Sequence, residues 1–125
     1  VGAVKRLDDR AWVAVDGGMS DNPRPQLYGA RYTALSAERA DQKSDETVSV
    51  AGMHCESGDV LIDDVALPSP CRGDLLAVPA TGAYTLAMSS NYNGVPRPAA
   101  VLARDDEARV IRSRESLDDL LALEA

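Results

Sequence analysis

Apolar and polar positions alternate from the first residues. Val1 to Val4, continuing into Lys5-Arg6, reads as a strand, Leu7-Asp8-Asp9-Arg10 as a polar turn, and Ala11-Trp12-Val13-Ala14-Val15 as a second strand, which together predict a hairpin closed by Asp16-Gly17-Gly18. A domain ordinarily opens on a few dispensable polar residues, so a strand-like start is expected to continue a chain that precedes Val1. Between Met19 and Tyr32 two prolines flank Arg24, a composition suited to an irregular crossing with one helical turn at Pro25 to Gly29. Ser36 to Glu46 is charged and poor in large apolar residues, and is expected to be a solvated, mobile loop.

Alternation resumes at Thr47 to Gly52, and Val60-Leu61-Ile62 and Leu75-Leu76-Ala77-Val78 follow at spacings expected of an antiparallel sheet. Ala83 to Tyr92 has few β-branched residues and predicts a short helix, stopped by Asn93-Gly94 and by Pro96 and Pro98. Strands are expected again at Ala100 to Ala103 and Ala108 to Arg112. Ser116 then caps a helix with Asp118 and Asp119 in its first turn and Leu117, Leu120, Leu121 and Leu123 as a partial apolar stripe. The pattern predicts a mainly β domain: six to eight strands in a barrel or sandwich with short helices, without internal repeats.

The size, 125 residues, fits one domain with a real core. Only 4% of residues are aromatic and Phe is absent, so that core must be built from Val, Leu, Ile and Ala. A net charge of −7, with arginines scattered rather than gathered in a stripe, disfavours nucleic acid as a partner. No apolar run approaches the ~20 residues of a membrane helix and the start lacks a signal-peptide plan, so no membrane partner and a cytoplasmic location are expected. Cys55 and Cys71 are too few for a disulfide framework, lack a Cys-x-x-Cys spacing, and read as free thiols.

The densest polar cluster is His54-Cys55-Glu56-Ser57-Gly58-Asp59, where a strand gives way to a turn. Adjacent residues on an extended chain face opposite ways, and no second His exists, which argues against a zinc site; a neighbouring His is also poorly placed as the base of a cysteine nucleophile. Two readings stay open. In one, Cys55 is a small buried apolar side chain and Glu56 a surface carboxylate. In the other, a thiol followed by a carboxylate presents a proton donor and an ammonium acceptor to one ligand. Arg24 and Tyr28, four residues apart, would share one face of a helical turn and hold a carboxylate, the alternative being a surface arginine beside a packed tyrosine. Tyr84 in Thr81-Gly82-Ala83-Tyr84 is by default a core residue.

In order, Asp16-Gly17-Gly18-Met19-Ser20-Asp21-Asn22-Pro23-Arg24-Pro25-Gln26-Leu27-Tyr28, Cys55-Glu56-Ser57-Gly58-Asp59, Gly82-Ala83-Tyr84 and Ser90-Asn91-Tyr92-Asn93 resemble the C-terminal β domain of the diaminopimelate decarboxylase family. The likeness runs from Val1 to the terminal helix, so residues 1–125 are expected to form that domain. It implies the alanine-racemase-like fold class: a Greek-key β domain, joined in the family to an N-terminal (β/α)8 barrel that carries pyridoxal 5'-phosphate. No counterpart of that barrel lies in these residues, and Lys5 and Lys43 match no Schiff-base lysine motif. The chain by itself is therefore expected to be inactive.

By the same likeness the substrate is meso-diaminopimelate and the products L-lysine and carbon dioxide. Cys55 matches the proton donor, a role suited to a thiol, whose ordinary pKa of about 8.5 leaves it protonated yet transferable. Glu56 matches the residue that takes the substrate's distal ammonium group, and Arg24 and Tyr28 match those that take its distal carboxylate. Tyr84 matches a tyrosine that approaches both cofactor and substrate. The family's Cys-Glu pair reaches a neighbouring subunit's barrel, which implies a homodimer with shared sites. Among rivals, a decarboxylase of ornithine or arginine is disfavoured because Arg24 would repel a distal cation. A carboxynorspermidine-type decarboxylase and a non-catalytic β module remain as alternatives.

Overall fold

The computed structural model describes residues 1–124. Its elements are β1 (Ala3–Arg6), β2 (Ala11–Ala14), α1 (Arg24–Tyr28), β3 (Leu35–Ser36), β4 (Glu46–Ala51), β5 (Val60–Leu67), β6 (Leu76–Ala77), α2 (Thr85–Met88), a 3-10 turn at Tyr92–Gly94, β7 (Ala100–Arg104), β8 (Glu107–Arg112) and α3 (Leu117–Leu121). Eight strands form, within the expected six to eight, with β3 at a place where no strand was expected, and they lie in three separate sheets: β1-β2-β4-β5, β3-β6 and β7-β8. No closed barrel exists among the described residues. None of their helices is long and apolar enough to cross a membrane.

The first hairpin pairs as its alternation predicts, Ala3 opposite Ala14 and Arg6 opposite Ala11. β2 and β4 run parallel, Ala11 opposite Val48 and Ala14 opposite Ala51, and the strand expected at Leu75 to Val78 leaves this sheet to pair with β3, Leu76 opposite Ser36. Parallel neighbours need a long crossover, and residues 15–45 supply one. That crossover carries α1. β4 then pairs antiparallel with β5, with irregular register around Val50.

Ala11, Val13, Ala34, Val48, Val50, Ile62, Val65 and Leu67 form the core, all aliphatic as the composition requires. β4 is central and buried on both faces, so Val48, Ser49 and Val50 are all inaccessible. Ser49 is tolerated there because its hydroxyl donates to Asp63 Oδ1 at 2.9 Å.

The expected Ala83 to Tyr92 helix shrinks to the single turn of α2. Ser89 leaves the helical region at ψ 150° and its hydroxyl donates back to Leu86 O at 2.7 Å, a local bond that competes with continuing the helix. The β7-β8 hairpin closes on Asp105 and Asp106, both at positive φ (49° and 63°), the turn whose twist matches paired strands. Ser116 caps α3 as expected: its Oγ accepts from Asp119 N, and its own N donates to Asp119 Oδ2 at 2.7 Å. The leucine stripe does not pack, however, since Leu117, Leu121 and Leu123 are exposed.

Candidate functional site

α1 exists because Pro25 presets the first turn and Gly29, at φ 61°, ends it by donating its N–H to Pro25 O at 2.9 Å. Five helical residues suffice to stack Arg24 and Tyr28 on one face, and the Arg24 guanidinium carbon lies 5.8 Å from the Tyr28 ring centre. Tyr84 approaches the same guanidinium at 5.3 Å. Both tyrosines are open to solvent, at 66% and 67% exposure, so neither is the packed or core residue that the plainer reading anticipates. Tyr84 sits at φ 70°, a left-handed conformation costing a side-chain-bearing residue roughly 1–3 kcal/mol. Among the described residues no acidic side chain pairs with Arg24, which leaves the cation free for an incoming anion.

The second cluster is the turn after β4. Gly52 N donates to Asp59 O, Glu56 N to His54 O and Asp59 N to Glu56 O, all within 2.8–3.0 Å, so Cys55 to Gly58 protrudes from a tied base. Alternation turns His54 inward and Cys55 outward. Cys55 is an exposed free thiol, which overturns the reading of it as a buried apolar residue, and Glu56 is exposed beside it. No group of three or more His, Cys, Asp or Glu side chains among the described residues is arranged to hold a metal. Cys71, the other free thiol, lies outside both clusters: it donates to Asp74 Oδ1 at 3.2 Å, and that bond pushes its pKa up, against nucleophilic use.

Sequence reasoning passes over the residue that joins the two clusters. Asp59, almost fully buried, accepts from Met19 N at 2.7 Å through Oδ1 and from His54 N at 2.9 Å through Oδ2. One carboxylate thus ties the loop that leads into α1 to the turn that carries Cys55 and Glu56. A Cβ on Gly52 would fall 2.1 Å from Asp59 Oδ2, so glycine is needed there for close approach. The available signal was a carboxylate among glycines of both loops. His54 adds a second tie, its Nε2 lying 2.8 Å from Ser20 Oγ.

The segment after α2 closes this side. Ser90 N donates to Ser20 O at 2.9 Å, and Asn91 Nδ2 donates to Glu115 Oε2 at 2.7 Å. Arg97 bridges Glu115 at 3.1 Å and also bonds Asn91 and Ser89. The Arg97 backbone N–H, followed by the Asn91 amide, holds the Glu115 carboxyl well below its usual range, at about 2. Its contribution to stability is therefore fully present above the ordinary carboxylate pKa near 4.5 and lost as pH falls toward 2. Urea unfolding midpoints across that window should fall more steeply for the native protein than for Glu115→Gln. Equal slopes would show that this cluster has no part in acid sensitivity.

Residues 1–82 match the family described as pyridoxal-dependent decarboxylase, C-terminal sheet domain. The chain belongs to that family. This decarboxylase domain is 57% identical to the diaminopimelate decarboxylase of Actinosynnema pretiosum subsp. auranticum, over 99% of the chain and 28% of that relative. A solved diaminopimelate decarboxylase superposes with a TM-score of 0.89 at 40% identity, covering 99% of the chain and 32% of its own. The enzyme from M. jannaschii in complex with L-lysine gives 0.86 at 36% identity, covering 100% of the chain and 28% of its own. The decarboxylase domain thus spans about 28% of the length of the curated relatives it matches.

Pyridoxal dependence belongs to the family, and the donor groups available in this domain fit one side of such a site only. The two lysines, Lys5 on the exposed β1 and Lys43 in the 37–45 loop, belong to neither cluster. Arg24, Tyr28 and Tyr84 provide a cationic, aromatic rim, and Cys55 and Glu56 an exposed thiol and a carboxylate.

Proposed function

We propose that this chain forms the substrate-facing wall of a pyridoxal-phosphate-dependent decarboxylase that converts meso-diaminopimelate into L-lysine and carbon dioxide. The observation that carries the reading is the unpaired Arg24 guanidinium lying near the rings of both Tyr28 and Tyr84. A guanidinium offers two parallel N–H donors that match a carboxylate. A diamine-forming substrate would bring an ammonium there and be repelled.

Pyridoxal phosphate, when bound, supplies the electron sink for loss of carbon dioxide. The chain's own residues bind the substrate's distal end and supply a proton. Arg24 and Tyr28 orient the distal carboxylate, Glu56 takes the distal ammonium, and Tyr84 bounds the site on the cofactor side. Cys55 Sγ holds the proton that replaces the departing carboxylate, so that one carboxylate leaves as carbon dioxide and one C–H bond forms. The exposure of Cys55 and Glu56 suits a site completed by another part of the assembly, which we read as a barrel domain within a homodimer.

The test is carbon dioxide release by the full-length enzyme from meso-diaminopimelate, ornithine and carboxynorspermidine in parallel. A kcat/KM for diaminopimelate at least about 10²-fold above the other two supports the reading. Comparable values for ornithine would overturn it.

A further inference from the structure

The Ser90 to Gly94 segment holds a tyrosine over the Cys55–Glu56 turn, and the roles proposed above leave that side chain unused. Tyr92 extends its hydroxyl to Glu56 Oε2 at 3.4 Å. Its ring rests against the imidazole of His54, centres 5.2 Å apart and planes tilted by 54°. His54 is itself fixed: only 9% exposed, with Ser20 Oγ 2.8 Å from Nε2 and Asn93 Nδ2 3.4 Å from Nδ1. Each ring nitrogen of His54 thus has a polar neighbour, which fixes the plane of the imidazole against which Tyr92 rests. The backbone beneath Tyr92 is tied by Ser90 to Ser20 and by Asn91 to Glu115.

From this arrangement we infer that Tyr92 is a specificity-determining positioning residue: seated on His54, it turns the Glu56 carboxylate toward the α-ammonium group of an amino-acid substrate. The inference rests on Glu56 as the ammonium acceptor. Glu56 is exposed at the tip of a turn, where its side chain would otherwise sample several rotamers, and one hydroxyl donor selects among them. At 3.4 Å the contact is long for a hydroxyl–carboxylate bond, so it orients the carboxylate while leaving its charge for the incoming cation. Tyr92 does not itself contact the substrate. It acts through Glu56.

The ammonium is isolated by comparing L-lysine with 6-aminohexanoate, which keeps the carboxylate and terminal amine but lacks the α-ammonium. Equilibrium binding of both to full-length enzyme is measured for the native protein, Tyr92→Phe and Glu56→Gln. Removing the hydroxyl but keeping the ring should weaken L-lysine about 5-fold and leave 6-aminohexanoate within about 2-fold. With diaminopimelate, KM should rise by a similar factor at nearly unchanged kcat. Glu56→Gln should show the same selectivity more strongly, at about 30-fold or beyond. If Tyr92→Phe shifts both ligands equally or neither, while Glu56→Gln still discriminates, the role of Tyr92 is overturned and that of Glu56 stands. If Glu56→Gln fails to discriminate, the ammonium assignment falls, and the inference with it.

Discussion

Replacing Cys55 by alanine in the full-length enzyme should lower turnover by roughly 10²-fold to 10⁴-fold, the range a positioned acid contributes, while L-lysine affinity changes little. The asymmetry follows from timing. A proton that replaces carbon dioxide acts only after the carboxylate has gone, so its donor stabilises the transition state and adds little to ground-state binding. The structure favours a clean experiment, since Cys55 is exposed and removing one sulfur leaves the tied base of the turn, from Gly52 to Asp59, untouched. Steady-state kinetics beside a thermal unfolding curve decide the matter. Undiminished turnover in a folded variant would remove the thiol from the chemistry.

Arg24→Ala should act on the other parameter. Loss of a charge-assisted contact of about 2 to 5 kcal/mol strands the distal carboxylate, so KM should rise by roughly 30-fold or more, with a smaller change in kcat. Preference for diaminopimelate over substrates without a distal carboxylate should shrink with it. Lysine at position 24 should rescue poorly, because an ammonium lacks the planar fork and stacks less well between two rings. Full discrimination retained by Arg24→Ala would defeat the carboxylate reading.

The parts of the fold legible in the sequence are those governed by local rules. Alternation located the β1-β2 hairpin, and the Ser116 cap located α3, because each is decided within a few residues. The parallel junction of β2 with β4 was not legible, since an alternating strand carries no mark of its neighbour's direction. The leucines of α3 form a stripe by spacing, but spacing cannot say whether a surface exists to receive it, and within this chain Leu117 and Leu121 find none.

The candidate site divides in the same way. Arg24 and Tyr28 share a face by helical arithmetic, which sequence supplies, whereas the convergence of Tyr84 on that arginine depends on a tertiary crossing. Cys55 and Glu56 stood out as chemistry. Asp59 and His54 lay in the same cluster and Tyr92 in a neighbouring motif, but the way they tie the loops together was not legible, because it depends on partners distant in sequence.

The parallel pairing of β2 with β4 also makes the site depend on a contact between residues far apart in the chain. The β1-β2 and β4-β5 hairpins join residues near in sequence and can form early, but their union must close the long connection that carries α1. That closure brings Met19 to Asp59 and Ser20 to His54. The two halves of this side of the site therefore stay apart in any state that holds the hairpins alone, and they meet only where the β2-β4 pairing is made.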